Sequence, residues 1–118
     1  MNLEIVIAKE GQVIGNRIRL AVTFWQRLKG LLGTKSLAEG QGLLLRPCSQ
    51  VHTWLMGYTI DVVFLDEYNR IVGLEQNMKA GQVSPKYHKS WQVLELPSGS
   101  VEKYNLRRGD FLEILYSS

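Results

Sequence analysis

At 118 residues, with 45% hydrophobic and 21% charged side chains, the chain has the size and balance of one domain with one packed core, which argues against a fibrous, low-complexity or multidomain protein. Fourteen Lys and Arg against 11 Asp and Glu give a mildly basic formal net charge of +3, spread along the chain except at Lys86/Lys89 and Arg107/Arg108, a weak pointer to an acidic partner. The single cysteine, Cys48, cannot form an internal disulfide, and a chain of this length buries roughly two thirds of its unfolded surface without help from a disulfide or metal.

The N-terminus, Met1-Asn2-Leu3-Glu4, carries no basic leader, and Lys9 and Glu10 interrupt the following apolar run too early for a signal-peptide core. A cytoplasmic location is expected. No stretch approaches the ~20 apolar residues of a membrane-spanning helix. Leu3, Ile5 and Ile7 alternate with Glu4 and Ala8 as in a strand, and Gly11 offers a turn into a second strand through Ile18 and Leu20. Thr23 is placed to cap a helix whose Phe24, Leu28, Leu31 and Leu32 recur at helical spacing, with Gln26 as capping-box partner and Gly33 as the stop.

From Leu43 onward the pattern changes to short strand-like runs at Leu43–Leu45, Val51–Leu55, Val62–Leu65, Ile71–Leu74, Trp91–Leu96 and Phe111–Tyr116. Asp66–Arg70 reads as a hairpin loop, Pro97-Ser98-Gly99 as a turn, Ser100–Leu106 as a short helix and Arg108-Gly109-Asp110 as a tight turn. The expected fold is a single, mainly β domain over residues 1–118, an antiparallel sandwich or partly closed barrel with one or two short α-helices.

Three blocks of residues resemble a widespread bacterial and archaeal family, domain of unknown function 192 (DUF192). The first runs from Arg27 through Gly30-Leu31-Leu32 and Leu37 to Gly42-Leu43-Leu44. The second, His52-Thr53, Met56 and Ile60-Asp61-Val62-Val63-Phe64-Leu65-Asp66, is the most diagnostic. The third is Leu94-Glu95-Leu96 with Gly99, Leu106 and Gly109-Asp110. Leu32, where Met is frequent, and Thr59, where Pro often precedes the Ile-Asp pair, depart from the family pattern. The resemblance implies a compact, mainly β fold and, as the family name concedes, no assigned activity.

Candidate site residues are therefore weighed on their chemistry. Strand alternation would put His52, Trp54 and Met56 on one face of their strand, and Glu95 on the same face of its own strand as Trp91 and Val93, with His52 and Glu95 expected to converge on one concavity. His52 reads either as a partly buried imidazole bonded to a carbonyl or to Asp61, or as a ligand contact. Asp61, Asp66 and Asp110 fit the role of acids that bond turn amides, whereas turn geometry does not explain Glu95. The soft metal ligands amount to Cys48, His52 and His88, too few and poorly spaced for zinc, and Cys48 has no cationic setting that would make it a nucleophile. No cofactor and no metal are expected, and Gly40-Gln41-Gly42 is too short for a phosphate loop.

The reading that results is a small binding module. Its candidate ligand-contacting residues are His52, Thr53, Trp54, Asp61, Trp91 and Glu95, around a shallow pocket for a small polar, carbohydrate-like molecule or a peptide segment. A hydrolase using a carboxylate with His52 is the alternative. Nonspecific nucleic-acid binding through Lys86, Lys89, Arg107 and Arg108 is a weaker one, with no sequence-specific recognition expected. The sequence leaves catalytic residues and oligomeric state open.

Overall fold

Alternating burial in the N-terminal segment builds the expected hairpin. In the computed structural model, which describes residues 4–23, 26–27, 36–54 and 56–117, β1 (Glu4–Lys9) turns into β2 (Gln12–Ala21). The turn residues Glu10 and Gly11 both have positive φ, 51° and 81°, the backbone of a primed two-residue turn. β3 (Gly40–Leu45), β4 (Ile60–Leu65), β5 (Ile71–Met78), β6 (Gln92–Pro97), the short helix α1 (Ser100–Lys103) and β7 (Glu113–Ser117) follow.

The strands form one sheet in the order β5-β4-β6-β3-β2-β1-β7. Its pairs are antiparallel except β2 with β3, which run parallel. A parallel pair needs a crossover, and the chain after β2 begins one with a helical start. The Gln26 amide donates to Thr23 Oγ1 at 3.1 Å, and Gln26 Oε1 accepts from the Thr23 amide at 3.2 Å, the reciprocal capping box that the sequence predicts. Phe24, Leu28, Leu31, Leu32 and Gly33, named for the body and stop of that helix, lie outside the described residues. The ladder order is open, with β5 and β7 at its edges. These edges approach at one corner, through a bridge between Arg70 and Phe111.

The sheet curls around one core containing Ile5, Ile7, Ile14, Ile18, Leu44, Val63, Leu65, Leu94 and Leu96, sealed by Val101, Leu106 and Leu112. The other face carries a second cluster, among them Leu43, Leu45, Ile60, Val62, Phe64 and Val93. β4 is therefore buried along its whole length, as is β6 up to Pro97. This explains why the central strands read as mainly apolar runs, broken by Asp61, Gln92 and Glu95, while one-sided β2 alternates.

The expected strand Val51–Leu55 is not part of the sheet. His52 makes a single bridge to Val83, the Ser84 amide donates to the Val51 carbonyl and the Thr53 amide to the Gln82 carbonyl. The segment is a cover laid over the second apolar face, and Val51 packs against that face from outside. This gives a strand-like sequence without sheet pairing.

Asp61 holds the layers together. It is fully buried on β4, and its Oδ1 accepts from the Asn77 amide at 2.8 Å. Its Oδ2 accepts from the Gly99 and Val101 amides at 3.1 and 2.9 Å. Gly99 takes φ 93°, a left-handed conformation open to glycine, and turns the chain from β6 into α1. At the far end, Asn105 at φ 51° and a bond from the Leu106 amide to the Val101 carbonyl end the helix. Asp61→Ala would leave these amides without their acceptor, each buried orphan costing about 1–3 kcal/mol. The expected loss is about 3 kcal/mol, or roughly 10 °C in Tm, by differential scanning calorimetry. Asp61→Asn should lose nearly as much, because its amide would turn a donor towards donors.

Candidate functional site

Two extended segments cover the second face of the sheet. Residues 79–91 cross it from the end of β5 to the start of β6, and residues 47–54 run beside them in the opposite direction. The Cys48 amide bonds to the Trp91 carbonyl, the Tyr87 amide to the Ser49 carbonyl, and the Thr53 amide to the Gln82 carbonyl. Five of the six sequence-named residues fall on this layer or on the strand face beneath it.

Thr53 is fully buried and works as a clamp. Its hydroxyl accepts from the Gln82 amide at 3.0 Å and donates to the Lys79 carbonyl, fixing the turn that starts residues 79–91. His52 and Trp54 point outward, with ring centroids 5.0 Å apart and the Trp54 indole 56% exposed. His52 is itself exposed, so the buried imidazole bonded to Asp61 is replaced by a surface ring paired with an indole. Trp91 stands 44% exposed just before β6, with the Arg46 guanidinium 5.3 Å from its ring centroid. Arg46 also lies 5.4 Å from the Tyr116 ring and donates to its hydroxyl.

Asp61 lies on the inner face with Val63, whereas Glu95 lies on the outer face, opposite Leu43 on one side and Val62 on the other. The two acids of the central strands therefore do not converge. No hydrogen bond or ion pair joins His52 to either of them among the described residues. Asp66 closes the β4–β5 turn, its Oδ1 accepting from the Tyr68 and Arg70 amides at 2.8 and 2.9 Å, and Asp110 accepts from the Arg107 amide at 2.9 Å. Both are the turn acids that the sequence suggests.

Glu95 is 6% exposed and has no hydrogen-bond partner among the described residues. Burial pushes its carboxyl up to about 7, against a smaller downward pull from Arg19, which lies two strands away in the same transverse row. Cys48 lies close enough to feel the Glu95 charge, yet burial is the main cause that pushes its thiol up from its ordinary value. A thiol held protonated is a poor nucleophile. Among the described residues, no three His, Cys, Asp or Glu side chains stand together as a metal site.

The sequence reading missed Arg46, whose stacking partners Trp91 and Tyr116 lie far from it in the chain. It also missed that Lys86, Lys89 and Arg108 meet Arg70 and His88 around one cavity of about 520 Å³. Arg107 lies apart, its Nε donating to Asn105 Oδ1 at 3.1 Å.

The family model DUF192, described as an uncharacterized ACR, matches residues 5–114. The chain belongs to this family. A UPF0127 protein of Thermococcus sibiricus is 28% identical over 108 residues, covering 88% of this chain and 70% of the relative. One from Thermococcus kodakarensis is 26% identical over 112 residues, covering 92% and 71%. The fold is similar to that of a solved protein of unknown function from Novosphingobium aromaticivorans, with TM-score 0.80, 18% identity, and 93% and 83% of the two chains covered. It also resembles a Sinorhizobium meliloti protein described provisionally as a transcription regulator, with TM-score 0.81, 21% identity and 95% and 93% covered. No helix among the described residues of this DUF192 chain is long and apolar enough to cross a membrane.

The raised carboxyl of Glu95 generates a pH dependence. The folded chain keeps its proton up to about 7, whereas the unfolded chain releases it near the ordinary value of 4.5. Between these values the folded state binds more protons, so stability falls as pH rises through the window and levels off above it. At about 1.4 kcal/mol per pKa unit, the full effect is about 3 kcal/mol. Glu95→Gln should remove it: the Tm difference, variant minus wild type, should grow by several degrees between pH 5 and pH 8 in thermal scans. A difference independent of pH would show that Glu95 is ionised in the folded state throughout.

Proposed function

We propose that this DUF192 domain is a binding module that recognises a small polar, carbohydrate-like molecule or a short peptide segment through the exposed ring pair of His52 and Trp54. The supporting observation is the pair itself, two rings 5.0 Å apart at the surface with more than half of the indole exposed. The neighbouring Thr53 is locked by its bonds to Lys79 and Gln82, so the pair stands on a fixed backbone. A flat aromatic surface beside an imidazole that both donates and accepts suits a ligand with an apolar face and polar edges.

Hydrolysis is less well supported. Both oxygens of Asp61 are occupied by backbone amides, and Glu95 faces a different environment from His52. A carboxylate–imidazole pair, the minimum for the hydrolase reading, is not assembled among the described residues. Asp61 and Thr53 support the fold around the recognition surface and do not belong to the contact surface itself.

Intrinsic fluorescence tests the proposal. Titration with a glucose oligosaccharide or with a pool of short peptides should give saturable quenching, lost in Trp54→Ala and weakened in His52→Ala. Both variants should stay within about 2 °C of the wild-type Tm, since surface substitutions cost at most about 0.5 kcal/mol. Absence of quenching with both probes, or a melting point several degrees lower in Trp54→Ala, would reject a recognition role for the pair.

A further inference from the structure

The turns at the two sheet edges are stitched together by main-chain bonds. The Ile71 amide donates to the Asp110 carbonyl at 2.8 Å, the Gly109 amide to the Ile71 carbonyl at 2.8 Å and the Leu112 amide to the Asn69 carbonyl at 2.9 Å. Arg70 from the β4–β5 turn and Arg108 from the turn before β7 are thereby presented side by side. The segment before β6 adds Lys86, His88 and Lys89, and the five surround a cavity of about 520 Å³.

The cavity has a fixed wall. Tyr87 packs its ring 4.3 Å from that of Phe64, donates its hydroxyl to Glu75 at 2.6 Å and is bonded through its amide to Ser49. Gly73 leaves room for that ring, since a Cβ there would lie 2.3 Å from it. Arg70 is steadied by the Phe111 ring, 6.0 Å from its guanidinium carbon.

Charge is concentrated here. Four of the chain's 14 Lys and Arg line the cavity with a single carboxyl, Asp66, so this one hollow carries as much excess charge as the whole chain, +3. Asp66 Oδ1 is already engaged by two turn amides. The ion pairs of the described residues, Lys9 with Asp110 and Lys103 with Glu39, use none of the four cations. Like charges gathered around a concave surface repel one another and focus a positive potential into it, an arrangement that a multivalent anion relieves.

We infer that this hollow binds a small molecule carrying a diphosphate or a phosphate ester. Two guanidinium forks from these adjoining turns suit the paired oxygens of a phosphoryl group, and the lysines add point charge. The volume falls within the ~300–1,000 Å³ of small-molecule sites. An extended polyanion fits less well: among the described residues Lys9 and Lys103 are paired with Asp110 and Glu39, and Arg107 lies apart from the hollow, bonded to Asn105. The site is separate from the His52–Trp54 surface and stands or falls independently of it.

Calorimetric titration of the full chain with inorganic pyrophosphate, in phosphate-free buffer at fixed ionic strength, tests the inference. The expected result is saturable one-to-one binding. The double variant Lys86→Ala/Arg108→Ala should weaken it at least about tenfold, or about 1.4 kcal/mol. Lys103→Ala, which removes a cation elsewhere, should leave it unchanged. Because neither Lys86 nor Arg108 has a side-chain hydrogen bond among the described residues, the double variant should fold, as circular dichroism will show. A second set of titrations uses single-stranded oligothymidylate and vesicles of two parts phosphatidylcholine to one part phosphatidylserine. The inference is overturned by absence of saturable pyrophosphate binding, by an equal loss in Lys103→Ala, or by tighter binding to the oligonucleotide or the vesicles than to pyrophosphate.

Discussion

The three amides that converge on Asp61 come from two places far apart in the chain: the end of β5, and the turn after β6 with the first turn of α1 that directly follows it. Both side-chain oxygens of Asp61 accept, so one buried side chain satisfies donors that would otherwise face an apolar interior. The position of α1 depends on this bonding, and with it Val101 and Leu106, which close the inner core. From α1 the chain passes through the Arg107–Asp110 turn into β7. That turn is the one bonded to Ile71, and it carries Arg108. A buried acid on β4 thus sets, through a continuous run of packed and hydrogen-bonded backbone, where the basic hollow forms on the surface.

Glu95 shows the opposite solution to the same problem. It stands on a neighbouring strand, nearly as deeply buried, but on the outer face of the sheet and without the amide donors that Asp61 collects. Desolvation then falls on the ionised form, and the proton is retained to about 7. The difference arises from position along the strand. Asp61 lies next to Ile60, where β4 begins and the chain leaving β6 turns across the sheet end, so unpaired amides are within reach. Glu95 lies in mid-strand, where the amides of β3, β4 and β6 are already committed to the ladder. Two acids with similar sequence surroundings therefore acquire different electrostatic roles.

Much of this architecture was legible in the chain. The opening hairpin follows from alternation and Gly11, the start of the first helix from Thr23 and Gln26, and the turns from Asp66 and Gly109, because each depends on contacts between residues close in sequence. The segment around His52 was misread as a strand because apolar residues that cover a sheet from outside have the same composition as residues within one. The parallel pairing of β2 with β3 was not visible, since a single crossover leaves no repeating pattern. Glu95 stood out as an acid that turn chemistry does not explain, and the structure agrees that no turn accounts for it. Its separation from Asp61 by the thickness of the sheet could not be read, because strand pairing decides which face each residue takes.

The His52–Trp54 pair and the cations of the hollow lie on connections, not on strands. His52 and Trp54 ride on the cover segment, Arg70 and Arg108 on turns, and Lys86, His88 and Lys89 on the segment before β6. This follows from the burial pattern. Where β4 and β6 have neighbours on both faces, a polar side chain is either bonded internally, like Asp61, or held near neutrality by desolvation, like Glu95, and neither is free to meet solvent. Connections have exposed side chains to spare, but they hold a geometry only if their backbones are anchored. Here the anchors are specific: Thr53 on Gln82 and Lys79, Asp66 on Tyr68 and Arg70, and the bonds that join Ile71 to Gly109 and Asp110. Rigidity in these loops is supplied by buried or turn-bound polar groups, which leaves the outward-facing rings and cations without a structural duty and open to a ligand.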